Sequence, residues 1–415
     1  MTKNPIVVGL DVGTYFTKIA VAKKLREEKE PSIIALGVSP TEGMRKGVVV
    51  DIKDVTRSIV IALESASKMI QEDITSVHIS LNGDQIICKN TSGKVAVSRA
   101  DGEVTEDDLN RVYQTANPGP SGQNKMILDI IPKSFTLDEE TEIKHPVGMN
   151  GIRLELDAVL VESTIPPIKN LEKCINDAGL HILSSETAII TSSSAILTKK
   201  QKELGVIVID MGAGTTSFAV YEEGRLIHFK ILPIGSAHIT SDIAIGMRIP
   251  VDLAEKVKIM FGYAMESHIP NDKRVKIDLS KINEEEVGTY SVNFLSGIIE
   301  ARLKEIFSLI SKDLREIGRE GLLPAGVILV GGGANLRSII DLAKRELKLP
   351  VKIAIPRGVE GSVADVDNPM FATLVGLLLT GFSEQNTMES NQSFEEKSNF
   401  INNIWNKIVK IFIPE

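Results

Sequence analysis

The chain has 415 residues, 43% hydrophobic and 25% charged, enough for two or more domains with cores of their own. A net charge of −8 argues against a general nucleic-acid binder, and aromatics at only 4% leave Ile, Val, Leu and Ala to fill the cores. Cys88 and Cys174 lack metal-ligand spacing, which suits a reducing cytosol, and no apolar run approaches the ~20 residues needed to span a bilayer.

The chain opens directly into a strand, with no signal-peptide pattern. VVGLDVGTYFTKIAVA (7–22) reads as an apolar strand, a tight turn rich in Asp, Gly and Thr, and a second apolar strand. Such a hairpin differs from the strand-to-helix turn of a P-loop. Further on, DGEVTEDDLNRVYQTA (101–116) predicts a helix capped by Thr105 with an acidic first turn. VIVIDMGAGTTSFAVY (206–221) then repeats the first hairpin without a gap, pairing Asp11 with Asp210, Gly13 with Gly212 and Thr17 with Thr216. Glycine lets backbone N–H groups approach a phosphate, and threonine adds a hydroxyl donor. A carboxylate in that turn repels phosphate unless a cation lies between, so Asp11 and Asp210 imply Mg2+ held partly through water. Lys18 can neutralise the terminal phosphates. One such turn is often merely structural. Two copies imply duplicated domains clamping one nucleotide.

PVDLAEKVKIMFGYA (250–264) starts a helix at Pro250 and Asp252, and Glu255 and Lys258 share one face of it, as a surface ion pair or as part of a site. VILVGGGANLRSIIDLAKREL (327–347) is a strand, a Gly331-Gly332-Gly333 loop and a helix. That loop either lets a base or ribose press on bare backbone or only turns the chain. SEQNTMESNQSFEEK (383–397) is polar and reads as a flexible tether. Beyond it, Ile401, Ile404, Trp405, Ile408, Val409, Ile411 and Phe412 form one apolar stripe, with Asn and Lys opposite. Such a helix suits the lipid headgroup boundary or docks on the chain's own core, and the tether favours the membrane.

Taken together these residues resemble the actin–Hsp70–sugar kinase superfamily, and within it the FtsA family of bacterial division proteins. The resemblance runs from Val7 to Gly381 plus the tail. Its specific parts are IIPKSFTLDEETEIKHPVGMNGIRLELDAVLV (130–161), TSDIAIGMRIPVDLAEKVKIMFGYA (240–264) and the GGGANL loop. It implies an α/β, actin-like ATPase fold: two RNase H-like domains around a nucleotide cleft, an FtsA-type inserted subdomain 1C and a C-terminal amphipathic helix. The expected layout is 1A at 1–83, 1C at 84–160, 1A again at 161–205 and 2A at 206–239. Subdomain 2B follows at 240–304, 2A again at 305–360, a return to 1A at 361–382, the linker at 383–397 and the membrane helix at 398–415.

By the same likeness Asp11, Gly13, Thr14 and Lys18 form the first phosphate loop, and Asp210, Gly212, Gly214 and Thr215 the second. Gly331, Gly332, Gly333 and Asn335 face the adenosine, with Glu255 and Lys258 near ribose and base. The cofactors implied are ATP and Mg2+. Implied partners are the FtsZ C-terminal tail, the lipid membrane, later divisome membrane proteins and further copies in an actin-like protofilament. The expected place is the cytoplasmic face of the cell membrane at the division site. Arg302 and Lys304, on a helix predicted over 291–307, are placed to meet an acidic FtsZ tail or form a solvated face. Glu186 is the only acid in SSETAIITSSSAIL (184–197), about two residues from where hydrolysing relatives hold a water-orienting residue. ATP is therefore expected to act as a conformational ligand, with slow turnover at most.

Three rivals share this cleft. A small-molecule kinase needs a base near the γ-phosphate and a polar substrate pocket, and no second acidic motif of that kind stands out. A chaperone needs a substrate-binding domain after Gly381. The pilus-assembly relative is not expected to carry its own linker and amphipathic helix, and the tail favours FtsA over it.

Overall fold

In the computed structural model, which describes residues 5–25, 28–284, 287–361 and 366–391, the two repeats form the centres of two sheets. The chain begins with β1 (Ile6–Val12), β2 (Phe16–Lys23), β3 (Ser32–Pro40), the short pair β4 (Met44–Arg45) and β5 (Val48–Val49), α1 (Ile52–Ile70) and β6 (Ser76–Leu81). An insert follows: β7 (Ile87–Ala96), α2 (Glu106–Ala116), β8 (Lys125–Leu137), β9 (Glu140–Ile143) and β10 (Arg153–Thr164). The first domain resumes with α3 (Ile165–Asp177), β11 (His181–Thr187), α4 (Ala188–Ile196) and α5 (Lys199–Leu204). The second domain starts with β12 (Val206–Met211), β13 (Thr216–Glu222), β14 (Arg225–Leu232), α6 (Ser236–Met247) and α7 (Val251–Phe261). It continues through β15 (Lys276–Asp278), β16 (Thr289–Ser291), α8 (Val292–Glu316), β17 (Val327–Val330), α9 (Ile339–Leu347) and β18 (Val351–Ile353). β19 (Glu360–Gly361) and α10 (Ala372–Asn391) return to the first domain.

The first sheet runs β11-β6-β1-β2-β3-β19 and the second β14-β13-β12-β17-β18. In each, the repeat is an antiparallel hairpin whose first strand also pairs in parallel with a strand beyond it, β6 or β17. Parallel strands covered on both faces read as near-continuous apolar runs, as Val7–Leu10 and Val206–Ile209 do. Strand alternation then divides the second hairpin between two cores. Val206, Val208, Ala219 and Tyr221 pack into the core of the first domain, whereas Ile207, Ile209, Met211, Phe218 and Val220 pack into that of the second.

The insert forms its own sheet, β7-β10-β8-β9, and its own core around Val112, Phe135, Leu154 and Leu156. The predicted cap holds: Thr105 Oγ1 accepts from Asp108 N at 3.2 Å, and Asp108 Oδ2 accepts from Thr105 N at 2.9 Å. α8 is longer than the helix expected over 291–307, and the expected 2B–2A boundary at 304/305 falls inside it.

The tether is a correction. Residues 383–391 continue α10 instead of starting a flexible linker. Glu, Gln and Met extend an existing helix without a new nucleation cost, and SEQNTMESN has neither Gly nor Pro. Gln385 Nε2 donates to Ile6 O at 3.1 Å, tying the extension to β1. The membrane-helix residues Ile401, Ile404, Trp405, Ile408, Val409 and Phe412 lie outside the described residues. Among the described residues no helix is long and apolar enough to cross a membrane.

Candidate functional site between the two domains

The turns of the two hairpins face each other across a cavity of about 490 Å3. The local geometry repeats as closely as the sequence does. A Cβ added at Gly13 would sit 2.9 Å from Phe16 O, and one at Gly212 would sit 3.0 Å from Thr215 O. A side chain at Gly13 would force the turn to shift, and one at Gly212 would need the Thr215 carbonyl to give way slightly. Every residue predicted to bind nucleotide lines this one cavity: Asp11, Gly13, Thr14, Lys18, Asp210, Gly212, Gly214, Thr215, Glu255, Lys258, Gly331, Gly332, Gly333 and Asn335.

The two repeated aspartates differ. Asp11 is saturated, with Oδ2 2.7 Å from Lys18 Nζ and Oδ1 accepting from Ser80 Oγ at 2.7 Å. Lys18 also donates to Met370 O at 2.8 Å. Asp210 lies deep in the cleft and accepts a long hydrogen bond from Thr373 Oγ1, at 3.3 Å. Burial pushes its carboxyl up to about 6, with Lys18 opposing and Asp11 adding to the rise. A divalent cation would supply the missing positive charge. Among the described residues no three His, Cys, Asp or Glu side chains are grouped to hold a metal directly. The donor set therefore fits Mg2+ bound through water and phosphate oxygens, with Asp210 the more available carboxylate.

On the far wall Lys258 Nζ lies 2.7 Å from Glu255, donates to Thr240 Oγ1 at 2.8 Å, and is buried. Burial lowers the Lys258 ammonium and Glu255 opposes that shift. The pair is a buried network, not a surface ion pair. The glycine loop divides its labour. Gly331 has φ +84, and a Cβ there would lie 2.3 Å from Asp210 Oδ1, while one at Gly333 would lie 2.6 Å from Met211 Cγ. Gly332 has nothing within 4 Å of a Cβ position, leaving bare backbone for a flat ligand.

Sequence reasoning missed several groups here. Ser80 and Thr373 orient the two aspartates, and Asn82 donates from Nδ2 to Thr215 Oγ1 at 3.2 Å, bridging the domains. The Asn82-Gly83 step after a strand was the one available local signal. Arg337 lines the cavity, donates to Met260 O at 2.9 Å and lies over the Tyr263 ring. Tyr15, at the first turn, is pushed up by burial and by Glu255 and Asp252 opposite.

Other predicted residues lie elsewhere. Glu186, the penultimate residue of β11, pairs in register with Ser80 and does not line the cavity, although Ala188 does. Arg302 is held by Asp242 through Nε at 2.6 Å and Nη2 at 2.8 Å, and by Glu305 through Nη1 at 2.6 Å. Lys304 pairs with Glu300 at 3.0 Å. An incoming acidic peptide would have to compete with these carboxylates.

A family model described as "Cell division protein FtsA" matches residues 207–376, and one described as "SHS2 domain inserted in FTSA" matches 83–162. Cell division protein FtsA of Pseudomonas aeruginosa is 31% identical over 92% of this chain and 90% of its own length. The Bacillus subtilis protein of the same name is 34% identical over 91% and 84%, and that of Escherichia coli 32% over 92% and 91%. A PilM-PilN type IV pilus biogenesis complex structure matches with TM-score 0.65 at 17% identity, over 90% of this chain and 98% of that chain. MreB5 of Spiroplasma citri bound to ADP matches with TM-score 0.56 at 16% identity, over 92% and 98%. At these identities the solved structures show the actin-like fold alone.

Proposed function

The chain belongs to the FtsA family of cell division proteins, and from that premise we propose an ATP- and Mg2+-binding, polymerising adaptor that ties FtsZ to the membrane. The observation that carries the nucleotide part is convergence. Three segments distant in sequence bring Asp carboxylates, Gly backbone N–H groups, Thr hydroxyls and a Lys ammonium to one cavity, where burial raises the Asp210 carboxyl. A cavity of about 490 Å3 falls in the range of small-molecule and cofactor sites, roughly 300–1,000 Å3. Asp210 would help hold Mg2+, which would supply positive charge beside the phosphates, while the glycine turns offer backbone N–H groups and Gly332 offers a bare surface. ATP acts here as a conformational ligand that sets the angle between the domains, with slow turnover at most.

Membrane attachment rests on the stripe from Ile401 to Phe412. Each tail binds weakly and reversibly, and a filament presents many at once, so avidity makes the tether firm. FtsZ would dock on the second domain near α8, and later division proteins on the insert. Co-sedimentation with anionic liposomes tests the tether, comparing the full chain with one ending at Asn391, each with and without Mg-ATP. Only the full chain should pellet with lipid, and Trp405→Glu should abolish pelleting while Mg-ATP binding by calorimetry stays unchanged. Pelleting of the shortened chain, or of Trp405→Glu, would overturn the anchor.

A further inference from the structure

The insert meets the second domain through a group of side chains that the nucleotide cleft does not use. Cys88 lies near the start of β7 and is half-buried. Opposite it, β14 presents His228 and Lys230, and α8 presents Asp313. Cys88 Sγ lies 3.8 Å from His228 Nδ1, and His228 Nε2 lies 2.7 Å from Asp313 Oδ2. Lys230 Nζ holds the other Asp313 oxygen at 2.5 Å. From β8, Lys133 faces both Cys88 and Asp157 of β10. The sulfur therefore sits against an imidazole, and the Asp313 carboxylate beyond His228 is shared by two cationic partners. Against burial, Asp313 and Cys88 hold the His228 ring up to about 9, so it is cationic at neutral pH.

We propose that Cys88 is a modification site, a thiol activated by His228 and Asp313 and open to low-molecular-weight disulfides, whose adduct parts the insert from the second domain. An imidazolium N–H aimed at sulfur stabilises negative charge there, the electropositive, partly exposed setting in which thiols react. The step is an exchange. The Cys88 sulfur attacks one sulfur of the disulfide, the old S–S bond breaks as the new one forms, and the departing thiolate takes up the proton that Cys88 gave up. Cys88 is oxidised and the leaving half is reduced, so no further oxidant is needed. The other described cysteine is a natural control. Cys174 is fully buried, its Sγ–H points at Ile52 O at 3.7 Å, and burial pushes its thiol up.

The added group must occupy space now held by the His228 ring. At the same junction Arg225 Nη2 donates to Glu142 O at 2.8 Å, and Ile131 of β8 shares an apolar cluster with Leu226, Phe229 and Ile231 of β14. Displacing the ring would thus loosen the seam between β7 and β14 while leaving the insert's own core intact.

The test treats the full chain with oxidised glutathione at pH 7 and follows each cysteine by peptide mass spectrometry. Cys88 should be modified and Cys174 spared. The Cys88 rate should exceed that of an unfolded peptide spanning residues 85–92 by about tenfold or more, the gain expected of a thiol with a cationic partner. His228→Gln should remove most of the gain, with folding checked by circular dichroism. Hydrogen exchange in β7 and β14 should rise in the adduct and stay at the wild-type level in Cys88→Ser treated in the same way. A rate equal to the peptide's, one unchanged in folded His228→Gln, or an adduct with unaltered exchange would overturn the proposal. The peptide comparison decides the matter even if the His228 variant does not fold.

Discussion

Glu162, at the root of the insert, and Asp210, at the floor of the cleft, are both carboxylates withdrawn from bulk water, and the protein treats them in opposite ways. Glu162 is 0% exposed, enclosed near the surface by its own partners. It accepts from Ser121 N at 2.6 Å and Ser121 Oγ at 2.7 Å, and pairs with Lys89 at 2.9 Å and Lys125 at 3.3 Å. Against the upward push of burial, these partners hold it down to about 2. Asp210 is deeper, open only to the cavity, and pushed up to about 6. A satisfied carboxylate fixes geometry, as Glu162 fixes where the insert leaves the first domain. An under-served one stores a demand that a ligand can meet.

The largest effect should come from breaking the satisfied side. Glu162→Gln leaves Lys89 and Lys125 without their shared anion and should cost about 2–3 kcal/mol in unfolding free energy, measured by urea denaturation. Its contribution is present above the ordinary glutamate value of 4.5 and is lost as pH falls through 2, so the difference between wild type and variant should shrink in acid. A difference that does not change between pH 7 and pH 2 would mean the carboxylate charge is not what matters.

Asp210→Asn should act with the opposite sign. The folded carboxyl titrates near 6 against an ordinary 3.8, so the native state binds the proton more tightly and loses stability as pH rises from about 4 through 6. Removing that charge should stabilise the ligand-free protein by about 1–2 kcal/mol at pH 7.5, after discounting the full shift for water in the cavity. The same change should weaken Mg-ATP binding at least tenfold by calorimetry, the loss of one charge-assisted contact. Unchanged Mg-ATP affinity would mean that Asp210 is not the cation's partner.

Neighbouring glycines sharpen the contrast at smaller scale. Gly331→Ala must fit a Cβ against Asp210 at positive φ and should cost about 1 kcal/mol or more in thermal unfolding. Gly332→Ala meets open space and should change ligand-free stability by less than about 0.5 kcal/mol, while weakening nucleotide binding if a ring rests there. Equal effects of the two substitutions on stability would remove the distinction between packing glycine and binding glycine.

The parts legible in advance were those carried by short-range chemistry. The duplicated hairpin, the Thr105 cap and the glycine loop each follow from residues within a few positions of one another. Glu255 and Lys258 were also placed on one helical face by spacing alone. What spacing could not give was their burial with Thr240, which depends on α6 lying alongside. The same limit hid the end of α10, because a polar run reads as a tether until a formed helix is there to be extended. Arg302 read as an available cation because Asp242 lies 60 residues away in sequence but only 2.6 Å away in space.

The sequence by itself therefore determined that two copies of one Asp-Gly-Thr turn exist, that each lies between apolar strands, and that an amphipathic segment follows the body. Tertiary structure alone decided that the copies are unequal. Lys18 and Ser80 saturate Asp11, whereas Asp210 meets Thr373 at the edge of hydrogen-bond reach. The reason is physical: a turn's backbone shape is set locally by glycine and strand pairing, but a carboxylate's charge state is set by whichever distant groups the fold brings within a few ångströms.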